Sequence, residues 1–200
     1  LKSIVVRKNN TESMIEVDCL AVSGGWNPTV HLTCHMNGRP TWDEKIISFV
    51  PGIGAIPNMA VIGAANGFMD TQMCLGSAEK AVNLILKAFG KTLKKKKLPK
   101  VEITKYEISP KWSVEGKGRA WLDYQNDVTV KDIQQSVQEN FKSVEHMKRY
   151  TTQGMAIDQG KNSNVAALAI LADATGRGIP ETGTTTFRPP FVPVSIASMG

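Results

Sequence analysis

Trp121-Leu122-Asp123-Tyr124-Gln125-Asn126-Asp127-Val128-Thr129-Val130-Lys131-Asp132 is the stretch whose reading decides the fold. A polar, turn-forming run leads into Val128-Thr129. Thr129 and Asp132 have the spacing of a capping box, so a helix is predicted from there to about Asn140. Ser143 caps a second helix, Val144 to about Thr151, with Met147 turned inward. After Gly154-Met155-Ala156-Ile157-Asp158-Gln159-Gly160-Lys161 comes an Ala/Leu-rich helix, Asn164 to Thr175, closed by Gly176. The chain then runs extended through Gly183-Thr184-Thr185-Thr186-Phe187-Arg188-Pro189-Pro190. Residues 120–200 therefore read as a small, mainly helical domain with an extended tail.

The upstream sequence has a different rhythm. Residues 2–7 and 14–22 read as strands around the polar turn Arg7-Lys8-Asn9-Asn10-Thr11-Glu12. Leu20-Ala21-Val22 is apolar without alternation, as in a strand buried on both faces. Ser23-Gly24-Gly25-Trp26-Asn27-Pro28 follows as a tight loop at a strand's carboxyl end, where open α/β sheets bind ligands. Met59-Ala60-Val61-Ile62-Gly63 reads as a short apolar strand leading into Gly63-Ala64-Ala65-Asn66-Gly67. A helix from Thr71 to about Phe89 comes next, stopped by Gly90. Strand, small-residue turn and helix make half a dinucleotide-binding unit. The G-x-G-x-x-G fingerprint that opens such units is absent, and Gly52-Ile53-Gly54 is only a fragment of it. The fold class is thus α/β. Residues 1–90 form the C-terminal part of a dinucleotide-binding domain, residues 91–119 a Lys-rich linker and extended connection, and residues 120–200 the helical domain.

Composition narrows the function classes. The chain has 200 residues, 42% of them hydrophobic, and a net charge of +6. Six lysines lie between Lys91 and Lys100 and account for that excess. The basic balance is therefore a solvated linker, not a nucleic-acid face, which would need motif support. No apolar run approaches the roughly 20 residues that cross a bilayer, and no secretory signal is visible. Cys19, Cys34 and Cys74 lack paired spacing, so they read as buried, reduced thiols of a cytoplasmic protein. The chain lacks an initiator Met and reads as a piece of a longer protein.

Several motifs together carry a resemblance. Ser23–Pro28, the Gly63–Gly67 turn, Trp121–Thr129, Ser143-Val144-Glu145-His146-Met147-Lys148-Arg149-Tyr150-Thr151-Thr152, Gly154-Met155 and Gly183–Pro190 resemble the alpha subunit of heterotetrameric sarcosine oxidase. The likeness runs over nearly the whole chain and implies a middle fragment. Related amino-acid dehydrogenases carry Cys-x-Cys and Cys-x₄-Cys in the same BFD-like 2Fe–2S module. Here the matching positions are Asp123, Gln125, Asp158 and Ser163, and no cysteine follows Cys74. Cluster iron is held by thiolates, so the module is a cysteine-less version of that frame.

The resemblance implies the ligands. NAD is the alpha-subunit dinucleotide, contacted by Ala64, Met69 and Thr71 with Gly63 and Gly25 nearby. A helix amino terminus and small residues suit its pyrophosphate. FMN is implied at the interface with the beta subunit, with Lys161, Thr184, Thr185, Thr186 and Arg188 supplying hydroxyls and cations for a phosphate. FAD belongs to the beta subunit, and tetrahydrofolate to a domain outside this segment. The beta, gamma and delta subunits are the implied partners. The implied reaction is oxidative demethylation of sarcosine to glycine, with no catalytic residue in this piece. A related FAD/NAD-dependent opine, proline or hydroxyproline dehydrogenase subunit is the alternative, and a cofactor-free scaffold a third. His31, Cys34 and His35 have loose metal-ligand character but no fourth ligand, so packing is their expected role. The tail from Phe187 to Val192 is expected to be exposed and covered by another chain or domain.

Overall fold

The computed structural model describes residues 1–92, 97–187, 192 and 194–200. Arg188 and residues 93–96 of the lysine run lie outside the described residues.

β1 (Ser3–Lys8) and β2 (Thr11–Glu16) form an antiparallel hairpin paired from Ser3↔Glu16 to Lys8↔Thr11. Asn9 and Asn10 both take positive φ, 49° and 63°, which is the backbone a two-residue hairpin turn requires. The tight turn starts β2 at Thr11 rather than Met14. Leu20-Ala21-Val22 corrects the expectation of a doubly buried strand. It pairs with nothing among the described residues, and Val22 is 82% exposed.

α1 (His31–His35) leads into a second hairpin, β3 (Thr41–Asp43) with β4 (Ser48–Val50). Residues 59–62 also differ from expectation. Ile62 is extended, at φ −134° and ψ 168°, but no partner strand lies beside it among the described residues. Gly63–Asn66 then closes as a 3₁₀ turn ending at Gly67, whose φ is 87°. A Cβ there would meet Ile46 and Val50 side chains at 2.9 Å, so only glycine lets the turn lie against the β3–β4 hairpin. α2 (Thr71–Ala88) follows as predicted, capped by Asp70 and stopped beside Gly90.

The helical half matches its reading closely. β5 (Trp121–Asp123) and β6 (Val128–Thr129) form a short bulged hairpin. Thr129 and Asp132 make the full capping box of α3 (Val130–Gln138). Ser143 accepts from His146 N to start α4 (Val144–Thr151), and α5 (Asn164–Thr175) ends at a left-handed Gly176. α6 (Ile179–Thr182) is a single turn.

The core centres on α5, which is apolar nearly all round and buries Ala167, Leu168, Ile170 and Leu171. Ile133 of α3 and Met147 of α4 pack there without any exposure. Val30, Cys34 and Phe49, from before the lysine run, belong to the same core, as does Phe187 after it. Helix α2 buries no residue fully. Among the described residues no helix is long and apolar enough to cross a membrane.

Replacing Asp132 by alanine removes the acceptor that holds Thr129 N at 2.7 Å. The loss should cost about 1 kcal/mol, read as a lower urea midpoint with an unchanged slope.

Candidate functional site

Two loops of the helical half, 123–127 and 152–163, are tied by one side chain. Asp123 is 3% exposed. Its Oδ1 accepts from Gln125 N at 2.9 Å and Asn126 N at 3.3 Å. Its Oδ2 accepts from Gly154 N of the other loop at 2.9 Å. Asn126 Nδ2 adds a second tie to the Thr152 carbonyl at 2.9 Å. Gln153, fully buried, donates from Nε2 to Ser163 Oγ at 2.9 Å. Asp158 holds its own loop through Gly160 N at 3.1 Å and Asn162 N at 3.4 Å. Asp123, Asp158 and Ser163 are thus hydrogen-bonded within the loops, and the Gln125 side chain is exposed. Without thiolates these residues do not fit an iron–sulfur cluster.

Gly154 and Gly160 lie back to back. Both have positive φ, 68° and 75°, and a Cβ on Gly160 would meet Gly154 Cα at 3.0 Å. This closeness sets the path of Lys161 into α5. Asn164 in the first turn of α5 then gathers the threonine tail. Its Nδ2 donates to Thr184 Oγ1 at 3.1 Å, and its Oδ1 accepts from Thr185 Oγ1 at 3.4 Å. Thr186 N donates to Glu145 Oε1 at 2.7 Å. Thr184, Thr185 and Thr186 line a polar cavity of about 660 Å³ with Cys34, Arg39 and Glu181. Lys161 lies near enough to His31 to disfavour its protonation, and the His31 ring packs tilted on Phe187, with centroids 3.8 Å apart at 45°. Thr184 and Thr185 are thus held by Asn164, while Lys161 lies close to His31, the ring partner of Phe187.

Phe187 corrects the expectation of an exposed tail. It is 5% exposed because His31 and the core cover it, while Val192 is exposed. Cys34 is buried, and burial raises its thiol pKa, so it stays protonated. Cys74 is partly buried and donates to the Phe68 carbonyl at 3.0 Å. Cys19 is exposed, contrary to its reading; it follows β2 in a segment that joins no strand among the described residues.

The other predicted cluster surrounds the start of α2. Gly63 has φ 64°, and its N donates to Ser77 Oγ at 3.0 Å. Ala64 and Thr71 are exposed and Met69 is half-buried. Asp70 already occupies the helix end. Its carboxylate accepts from Met73 N at 3.1 Å and Thr104 N at 2.8 Å. Those bonds, the Thr104 one foremost, lower its pKa. Gly25 lies apart from this turn's contacts, with Tyr106 and Ile108 as its neighbours. Beside α2, residues 51–56 and 59–62 with Met73, Ser77, Lys80 and Leu84 line a mainly apolar groove of about 660 Å³.

Residues 117–200 match the family model described as the sarcosine oxidase A3 domain. The whole chain is 39% identical over 207 residues to sarcosine oxidase subunit alpha of Rhizobium meliloti (strain 1021), covering 100% of this chain and 20% of that protein. This segment belongs to the sarcosine oxidase alpha-subunit family. The subunit alpha of Corynebacterium sp. (strain U-96) is 38% identical over 193 residues, covering 92% of this chain and 20% of its own length. The chain thus spans about a fifth of the curated relatives it matches. A solved L-proline dehydrogenase from P. horikoshii shares the fold with a TM-score of 0.70 at 15% identity, over 100% of this chain and 44% of that one. At that identity the likeness is one of fold alone.

Asn164, Asp123 and Arg39 belong to this geometry, and sequence reasoning did not single them out as site residues. Asp123 was visible only as a replaced cysteine position. Arg39 sits in Gly38-Arg39-Pro40, and no local pattern links it to threonines near the chain's far end.

Two outcomes test this geometry. Asp123→Ala leaves the buried Gly154 N–H without its acceptor, which should cost about 1–3 kcal/mol and speed hydrogen exchange at that amide. His31 has its pKa lowered from 6.5 to about 4, by burial first, then Lys161 and His35. The unfolded chain therefore takes up a proton at higher pH than the folded one, and stability falls as pH drops from about 6.5 to about 4. Urea midpoints across that window should fall less in His31→Gln.

Proposed function

We propose that this segment serves a sarcosine oxidase alpha subunit as its cofactor-supporting middle. The whole enzyme would demethylate sarcosine to glycine, release hydrogen peroxide and form 5,10-methylenetetrahydrofolate. In this reading FAD and amine oxidation belong to the beta subunit, gamma and delta complete the assembly, and folate binds outside this segment. Its fold would be the carboxyl-terminal half of a dinucleotide-binding domain followed by a cysteine-less BFD-like module.

The observation that carries the reading is that Asn164, in the first turn of α5, gathers Thr184 and Thr185, with Lys161 close to His31. A flavin phosphate needs fixed donors and positive charge, and this corner supplies hydroxyls on a rigid frame beside a cation. FMN bound here would supply electron transfer to oxygen. The chain's own part is to hold the phosphate end and order the loops around it. Arg188, by the same reading, adds a further cation.

NAD is proposed at the Gly63–Asn66 turn, with Gly63, Ala64, Met69 and Thr71 as contacts; Gly25, beside Tyr106 and Ile108, is not brought to that turn. Small, exposed residues suit close approach to a dinucleotide. The fit is partial, since the Asp70 carboxylate already caps the helix end and disfavours a second anion on its axis. The contacts assigned here are therefore those around the turn, not the helix amides.

The test is purification of the full-length subunit with its partners. Peroxide release from sarcosine, extractable flavin and NAD, and no stoichiometric iron are the expected results. Lys161→Ala should retain NAD but lose FMN content at least severalfold by flavin extraction. A complex without flavin would point to a scaffold.

A further inference from the structure

We infer that residues 101–108 are a strap that positions the dinucleotide-facing turn, with Asp70 as the residue that locks it. The inference rests on the NAD reading above and adds to it a segment that supplies none of the assigned contacts. The strap is extended and pairs with no strand among the described residues. Side chains of α2 hold it instead. Gln72 Oε1 accepts from Val101 N at 3.3 Å, and Asp70 Oδ2 accepts from Thr104 N at 2.8 Å. Asp70 and Gln72 bracket Thr71, and Met69 precedes Asp70. Two of the assigned NAD contacts are thus direct neighbours of the points where the strap is gripped.

The grip reaches the turn through α2. Gly63 N donates to Ser77 Oγ at 3.0 Å, and Cys74 Sγ donates to the Phe68 carbonyl at 3.0 Å. The turn is therefore tied to the first two turns of the helix, and what fixes the helix start fixes the turn. Asp70 is 5% exposed, and its Oδ1 accepts from Met73 N at 3.1 Å. A carboxylate shared between two peptide N–H groups holds each more firmly than a neutral acceptor would.

The far end of the strap reaches the glycine loop. Tyr106 donates its hydroxyl to the Trp26 carbonyl at 3.2 Å. A Cβ on Gly25 would lie 3.5 Å from that hydroxyl and 3.6 Å from Ile108 Cδ1. Thr104 and Ile108 are separated by at most about 14 Å of chain. The strap therefore spans the interval between Asp70 and the Gly24-Gly25-Trp26 loop. Trp26 is 74% exposed, so its neighbourhood draws little order from burial. Downstream, Trp112 packs against the core and anchors the segment that carries the strap. A site already held in its bound geometry loses less freedom when the ligand arrives, and the strap supplies that order.

The experiment titrates the full-length protein, assembled with its partner subunits and stripped of NAD, with NAD in a calorimeter. Thr104→Pro removes the donor to Asp70 and leaves the carboxylate and the helix cap in place. It should weaken NAD about tenfold, with extractable flavin and the NAD-free thermal midpoint unchanged. Thr104→Ala, which restores the N–H, should recover the affinity. Tyr106→Phe releases the far end and should also weaken NAD, with the same two controls unmoved. Unchanged NAD affinity in both Thr104→Pro and Tyr106→Phe overturns the inference and leaves the segment a structural tie. So does a loss of NAD affinity matched by an equal loss of flavin. Where Thr104→Pro lowers the midpoint as well, Tyr106→Phe decides alone, and unchanged NAD affinity there overturns the inference. No NAD binding by the unsubstituted protein overturns the NAD reading and this inference with it.

Discussion

The Asp123 carboxylate is the constraint on which the helical half depends. One oxygen closes its own turn and the other reaches Gly154 N across the gap between loops. A buried peptide N–H that lost this acceptor would carry the full cost of its desolvation. The bond therefore fixes loop 152–163 in place, and with it the close passage of Gly154 and Gly160. Lys161 and Asn164 take their positions from that passage. Iron–sulfur modules brace such loops with metal–thiolate bonds; here amide–carboxylate and amide–hydroxyl bonds do the bracing. These are weaker singly, and several act together.

Reading the sequence worked where the signal was local. The Thr129–Asp132 capping box, Ser143 and the Gly176 stop each depend on neighbours within one helical turn. It worked less well where a distant partner decides the outcome. Leu20-Ala21-Val22 has the composition of a buried strand, but burial needs a sheet to join, and none lies beside it among the described residues. Phe187 sits in a Pro- and Thr-rich tail that reads as exposed, yet His31 far upstream covers it. Of the candidate site, Lys161 and the threonines were legible as residue types suited to phosphate. Asn164, which gathers Thr184 and Thr185, was hidden in an Ala/Leu helix.

The two ends of the molecule treat anions differently. At α2 the helix terminus already holds an internal carboxylate, bonded also to Thr104 of the extended connection. The connection between the halves is thus tied down by the same group that caps the helix. Around Thr186 the carboxylates are spoken for by backbone and arginine, and cations predominate. The first arrangement spends its polarity on architecture; in the second, Lys148 and Arg149 lie beside Glu145 and the Thr186 backbone.

The tilted ring contact of His31 with Phe187 has a consequence for biogenesis. These residues are separated by more than a hundred positions, and ribosomes add about 5–20 residues per second. For on the order of ten seconds after α1 emerges, its covering aromatic has not yet been made. During that interval the His31 ring lies without its partner, and synthesis through Phe187 supplies it.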